Sequence, residues 1–253
     1  IGALAGDALT DADNNVAIGM SALTTDTLGS KSVAIGHSAL ATQNFTTATD
    51  SFNTAVGPNA GQAVTTGINN TLIGSAAGND FTDADFNTAL GANSLREDTL
   101  GSKATALGYY ALGNQNFTTA TDSLNTAVGY HAGLAVTTGT NNTLVGANTG
   151  DAITTGFDNV AIGRSALTTE DTGRKNVAIG SSALESQNSD ADNFNVAVGF
   201  EAGKEVTTGV QNTLIGGLAG DAITTGAQNV AVGYLSLSLE TTGSNNVAIG
   251  REA

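Results

Sequence analysis

A short motif recurs along the whole chain: alanine or leucine, then isoleucine, valine or leucine, then glycine. The motif glycines are Gly19, Gly36, Gly57, Gly74, Gly91, Gly108, Gly129, Gly146, Gly163, Gly180, Gly199, Gly216, Gly233 and Gly250. Most successive glycines are 17 residues apart, which is too short for a helical hairpin and matches one coil of a β-solenoid. The repeat therefore predicts a single continuous all-β domain over residues 1–253, a parallel β-solenoid of about 14–15 coils.

The residues before each motif glycine predict a short strand, as in Val16-Ala17-Ile18. Side chains alternate along a strand, so the β-branched residues face one way and the alanine the other. We expect the larger face to point into the coil, and the alanines to form an outward stripe that a second chain could approach closely. The thin core that results predicts a homo-oligomer, most simply a homotrimer.

Asparagine stands four residues before the motif glycine in every coil except two, which carry Ser32 and Ala104. Asparagines stacked at the strand spacing of about 4.8 Å can pass amide hydrogen bonds from coil to coil. The column is therefore predicted to be structural.

A longer period of four coils is superimposed on the motif, with copies at 41–112, 113–184 and 185–253. Some coils pair a leucine with an acidic residue, as in Leu95 and Asp98, whereas others pair a glycine with an apolar residue, as in Gly78 and Phe81. This exchange predicts that each coil buries one large side chain or the other.

Each four-coil copy also contains one enlarged coil, whose extra residues predict a loop. Such loops would lie on one face, about 19 Å apart at four coil spacings, and insertions in repeat proteins are often functional. The alternative is that the loops only pad a corner. The candidate surface-contact residues are Asn44, Phe45, Thr46, Asn116, Phe117, Thr118, Asn188 and Asp190.

Charge and composition exclude several classes of partner. The chain carries 23 acidic and 8 basic residues, a net charge of −15, so it lacks the cationic surface that nucleic acids or anionic membranes require. No apolar run is long enough to predict membrane insertion by this segment.

No catalytic, cofactor or metal site is predicted. There is no cysteine, and His37 and His131 are isolated from each other. The acidic residues at equivalent positions, such as Asp26 and Asp98, lie four coils apart, about 19 Å, which is too far for a catalytic pair. Pairs such as Asp83 and Asp85 lack the glycine-rich nonapeptide of calcium-binding β-rolls. The sequence thus predicts a protein that is not an enzyme.

The strands Asn15 to Gly19, Asn176 to Gly180 and Asn246 to Gly250 resemble the head repeats of YadA-like trimeric autotransporter adhesins. That resemblance implies a left-handed β-roll, a homotrimer and an extracellular position on a bacterial surface, with a host-cell, glycan or matrix ligand. The coils are longer than in that family, and their Thr-Thr-Gly turns are also similar to repeats in phage tail fibres.

The resulting hypothesis is an extracellular fibre segment, part of a surface adhesin or of a virion tail fibre, that projects a receptor-binding face. Because the chain begins inside one repeat and stops early in another, we expect it to be part of a longer fibre. Two alternatives are a glycan-degrading enzyme of the phage tailspike type and an ice-binding solenoid, although the threonine pairs skip coils and form no regular array.

Overall fold

The computed structural model describes residues 1–253 as two compact units, Ile1–Asn125 and Thr126–Ala253. All regular structure is β, with no helix, and the chain forms about 14 turns of about 17 residues. The prediction of an all-β parallel solenoid with this coil length is therefore confirmed.

The first unit contains six three-residue strands, one for each coil, and four two-residue strands. The three-residue strands are β1 (Val16–Ile18), β3 (Val33–Ile35), β5 (Thr54–Val56), β6 (Thr71–Ile73), β7 (Thr88–Leu90) and β9 (Thr105–Leu107). The two-residue strands are β2 (Gly29–Ser30), β4 (Thr49–Asp50), β8 (Gly101–Ser102) and β10 (Thr121–Asp122). The short strands pair in parallel as β2 with β4 and β8 with β10.

The second unit contains eight three-residue strands. They are β11 (Thr126–Val128), β12 (Thr143–Val145), β13 (Val160–Ile162), β14 (Val177–Ile179), β15 (Val196–Val198), β16 (Thr213–Ile215), β17 (Val230–Val232) and β18 (Val247–Ile249). Inside each unit, every three-residue strand pairs in parallel with the equivalent strand of the next coil, as Val160 does with Val177. The sequence repeat and the pairing register of the strands therefore coincide.

The orientation of these strands is the reverse of the sequence prediction. The alanines point inward: Ala34, Ala55 and Ala178 have no exposed surface. The flanking valines, threonines and isoleucines point outward, and Ile18 is 39% exposed. The outward stripe of alanines was thus a wrong prediction: the alanines face an interior that is already filled by large side chains such as Leu95 and Phe81, both fully buried.

Leucine replaces the inward alanine only where the neighbouring coils supply space. Leu72 is fully buried, and a β-carbon added to Gly61 or Gly78 would lie 2.7 or 2.8 Å from its methyl groups. Leu214 stands in the same relation to Gly203 and Gly220. The leucines at this position and the glycines of the two adjacent turns therefore fill one space together.

The asparagine column forms the predicted ladder. The backbone N–H of Asn70 donates to Oδ1 of Asn53 at 2.9 Å, and the Nδ2 of Asn70 donates to the carbonyl of Ala84 at 2.7 Å. The Oδ1 of Asn70 then accepts the backbone N–H of Asn87 at 3.0 Å. In the second unit Asn212 makes the same three contacts. Each buried amide thus joins its coil to the next at two points.

The motif glycines allow the coils to approach this closely. Gly74 has a φ of +138°, and a β-carbon there would lie 2.6 Å from the carbonyl of Gly91 in the next coil. Any other residue would combine an unfavourable backbone conformation with a collision against backbone atoms.

We predict that Asn70→Ala lowers the free energy of unfolding by roughly 2–4 kcal/mol. The substitution leaves the Ala84 carbonyl and the Asn87 N–H buried without partners, and each such group costs about 1–3 kcal/mol. Urea unfolding followed by circular dichroism measures the change. The matched control is Asn69→Gly, since Asn69 has a positive φ that glycine adopts readily. If the control altered the free energy of unfolding by more than about 0.5 kcal/mol, the loss in Asn70→Ala could not be assigned to the ladder.

Candidate functional site: the inserted loops and the outer strand face

The inserted loops lie in the enlarged coils, and only part of each predicted contact set is exposed. In the first loop Phe45 is buried, Asn44 is half-buried, and the tip formed by 46–48 is exposed. The second loop repeats this pattern, with Phe117 buried, Asn116 half-buried and 118–120 exposed. In the third loop Asn188 and Asp190 are exposed.

The two loop phenylalanines were wrongly predicted as surface contacts. Phe45 and Phe117 are each only 5% exposed, so neither ring can stack on a ligand. Each anchors its loop to the body of the coil, and Thr46 and Thr118 remain as exposed members of the predicted set.

One buried carboxylate in the preceding coil holds each of the first two loops. Asp98 accepts the backbone N–H of Phe117 at 3.1 Å, the backbone N–H of Gly101 at 3.0 Å, and the Nε2 of Gln115 at 2.6 Å. Asp26 makes the equivalent contacts with Phe45, Gly29 and Gln43. The loops are therefore tied to the solenoid by side-chain chemistry that repeats with the four-coil period.

The loop contacts continue into the asparagine ladder. Gln43 uses its Oε1 to accept Nδ2 of Asn53 at 2.9 Å, and Asn53 also donates to the carbonyl of Gly67. Gln115 accepts Nδ2 of Asn125 in the same way, at 2.8 Å. A rearrangement of either loop would thus remove contacts from the coil that follows it.

The prediction that each coil buries either the leucine or the apolar residue three positions further on is confirmed, since Leu95 and Phe81 are fully buried in coils of the two types. In the leucine coils the acidic residue is buried as well, which was not predicted. Leu95 and Asp98 both have no exposed surface, as do Leu167 and Glu170. Sequence reasoning missed this because a buried carboxylate is rare unless it is hydrogen-bonded. The signal was present in the spacing, since each buried acid is followed one coil later by an enlarged coil.

The third loop is held by a different set of groups. Glu170 accepts the backbone N–H of Gly173 at 2.8 Å and Nδ2 of Asn193 at 3.0 Å. Gln187 instead donates to the carbonyl of Thr207 at 3.0 Å. The contact that this loop shares with the other two is a backbone one: the N–H of Ser189 donates to Glu170 at 3.3 Å, as that of Phe117 does to Asp98.

Burial changes the acidity of these carboxyl groups. Desolvation raises the pKa of Asp98, and the hydrogen bonds from Gln115, Phe117 and Gly101 offset part of that rise. Desolvation likewise raises the pKa of Glu170. At the equivalent position of the last coil, Glu240 is only half-buried, and backbone N–H groups led by that of Gly243 lower its pKa.

The second candidate surface is the outer face of the strands, formed by the residues five, three and one before each motif glycine. We call these the outer columns. The residues between them, two and four before the glycine, are buried in nearly every coil. In the first unit the outer columns include Phe52, Ile73, Phe86, Leu90 and Leu124, exposed by 36–53%.

Charged side chains are scarce in the outer columns. Asp158 is the sole acidic residue among them, although the chain carries 23 acidic residues. The basic residues are Lys31, Lys103 and Lys175, and each forms an ion pair with an aspartate of the next coil, such as Lys31 with Asp50 at 2.5 Å. The outer face is therefore apolar, and the charges of its lysines are paired.

No group of three or more histidine, cysteine, aspartate or glutamate side chains is arranged to hold a metal ion. The acidic pairs noted in the sequence make contacts across coils instead: Asp83 accepts the hydroxyl of Thr66, and Asp85 accepts the backbone N–H of Ile68 at 2.7 Å. None of the structure's elements is a helix with the length and hydropathy that a membrane span needs.

Searches with protein-family models and among curated proteins found no match to this chain.

We predict that Asp98→Asn reduces the pH dependence of stability. The raised pKa means that the folded chain binds this proton more readily than the unfolded chain, whose carboxyl has the ordinary pKa of 3.8. The stability that Asp98 contributes is present below that value and is lost as the pH rises through the folded pKa. The free energy of unfolding of the native chain minus that of the variant should therefore be larger near pH 3.5 than near pH 7.

The matched control is Glu240→Gln, for which the expected sign is opposite. The lowered pKa of Glu240 gives a contribution that is present above the unfolded pKa and is lost as the pH falls. Urea unfolding at the two pH values measures both differences. A difference of the same sign in the two variants would contradict the role assigned to the buried carboxylate.

Proposed function

We propose that this chain is a non-enzymatic segment of an extracellular fibre, in which three copies pack through their outer columns and the inserted loops face outward. The observation that carries the proposal is the outer strand face, which is apolar, half-exposed and almost free of acidic residues. A segment of this kind holds a binding surface at a distance from a cell or a virion.

The charge distribution supports contact between copies of this chain. With a net charge of −15, most of its surface repels another copy, whereas the outer columns carry three lysines and one aspartate. Like charges brought together are costly and apolar surface is favourable to bury. Of the chain's surfaces, the outer columns are therefore the one suited to meet a copy of itself.

The inward position of the alanines also supports the assembly. Because the strand alanines face the coil interior, the larger residues beside them remain partly exposed, as Ile162 and Ile215 do at 37% and 40% exposure. Their burial between copies would add to the thin apolar core of each chain. The resemblance to YadA-like head repeats implies a trimer, a left-handed coil and a position on a bacterial surface. The Thr-Thr-Gly turns are also similar to phage tail-fibre repeats, so a phage tail fibre is the alternative setting.

The loop tips are the part of this arrangement that would contact a host-cell, glycan or matrix ligand. The tips at 46–48 and 118–120 are exposed, whereas buried Phe45 and Phe117 and the buried carboxylates fix their bases. A tip held in this way loses little conformational freedom on binding. The carboxylates themselves hold structure together, which supports a binding role in place of a catalytic one.

Light scattering of the folded protein tests the assembly. We predict a mass of three times the 25.0 kDa chain, and a single-chain mass would overturn the proposal. Val177→Asp should separate the copies because it places an unpaired charge in the apolar contact. Thr208→Asp is the matched control, since Thr208 is exposed outside the outer columns, and it should leave the mass unchanged.

Adhesion is tested separately. Beads coated with the protein should be retained on surfaces bearing glycans or matrix proteins, and replacing the exposed tips 46–48 and 118–120 with Gly-Ser-Gly should reduce that retention. Release of reducing ends from the same glycans would contradict the non-enzymatic assignment. Unchanged retention after tip replacement would move the binding surface away from the loops.

A further inference from the structure

The residue five before each motif glycine occupies a strained backbone position. In all fourteen coils its φ is positive, from 51° to 62°. Asparagine and aspartate tolerate this left-handed conformation best among residues with a side chain, and bulky apolar residues are uncommon there. Asn69 and Asn141 follow that preference.

Four coils depart from it by placing a large apolar residue at this position. They are the coils of Phe52, Phe86, Leu124 and Phe194, with φ values of 51°, 58°, 53° and 51°. These side chains are 51%, 53%, 52% and 48% exposed. Each of these residues therefore costs free energy in an isolated chain for two reasons: its backbone conformation is strained, and its apolar side chain is in contact with water.

Two of these rings are fixed in place on one side. The Nζ of Lys31 lies 5.1 Å from the centre of the Phe52 ring, and Nζ of Lys175 lies 5.1 Å from that of Phe194. The same ammonium groups pair with Asp50 and Asp192. The lysines cover one part of each ring and leave about half of the side chain open, as a preformed apolar projection.

The residue type at the position five before the glycine also varies more from coil to coil than at the other two outer columns. The columns three and one before the glycine hold valine, threonine, isoleucine or leucine throughout. The column five before it alternates among lysine, phenylalanine, leucine, asparagine, glutamine and aspartate. Contacts that distinguish one coil from another therefore arise chiefly at this column.

We propose that Phe52, Phe86, Leu124 and Phe194 are the anchor residues of the contact between copies of this chain. The inference rests on the self-association proposed above and names the side chains that dominate it. Large apolar side chains that become fully desolvated carry most of the energy of a typical protein contact. The partner is a second copy because these residues lie in the outer columns, where acidic residues are almost absent.

The test compares two double variants that create asparagine at the same backbone position. Phe52→Asn with Phe86→Asn removes two anchors, whereas Gln211→Asn with Gln228→Asn changes two polar residues of equally positive φ. Exchange of subunits between isotope-labelled and unlabelled chains is followed by native mass spectrometry. We expect exchange to become at least about tenfold faster in the phenylalanine variant and to stay within about twofold in the glutamine variant.

A third variant, Phe52→Leu with Phe86→Leu, should exchange at nearly the native rate, because Leu124 shows that leucine serves at this position. A β-rich circular dichroism spectrum establishes folding of each variant. Equal exchange rates in the asparagine variants, or slow exchange in Phe52→Asn with Phe86→Asn, would overturn the anchor assignment while leaving the assembly intact. A native chain with the mass of one copy would instead overturn the proposed assembly itself.

Discussion

The asparagine ladder is the interaction on which the rest of the structure depends. Each buried amide fixes the next coil at two points, as Asn70 does through Asn87 and Ala84. Such contacts form only if every coil returns to the same place, which fixes the strand register even where a coil is enlarged by a loop. They also hold adjacent coils so close that glycine is required at the corners, where the carbonyl of Gly91 would lie 2.6 Å from a β-carbon on Gly74.

The same closeness decides which side chains are inside. A coil this narrow accepts alanine, or a leucine such as Leu72 beside glycines at 61 and 78, and it leaves the larger strand residues on the outer face. It also buries Asp26 and Asp98, whose carboxyl oxygens accept hydrogen bonds from the loops, so that several donors satisfy each of them. The filling of the interior, the anchoring of the loops and the exposure of the outer strand residues thus all follow from the same coil spacing. The proposed assembly buries the apolar residues that lie outside the interior.

Periodicity in the sequence was sufficient to predict the coils, the strand positions and the ladder, because identical residues at equal spacing stack when the chain coils regularly. Which face of each strand points into the coil was not predictable in this way. Alternation in Val16-Ala17-Ile18 separates two faces but does not show which one is inside. The usual rule that larger residues are inside fails at the strands because other large side chains, such as Leu95 and Phe81, already fill the interior. Phe117 was misassigned, and the burial of Asp98 was not predicted, for a related reason. Loop residues and acids are usually exposed, whereas here the loop and the carboxylate are buried against each other.

Hydrogen exchange of the asparagine side-chain amides, measured by NMR, tests the central claim most directly. The Nδ2–H groups of Asn70 and Asn212 donate to buried carbonyls, whereas Asn141 lies on the exposed surface. The account predicts that the ladder amides exchange at least about a hundredfold more slowly than Asn141, since their opening requires coils to separate. Exchange of Asn70 and Asn212 at the rate of Asn141 would contradict it.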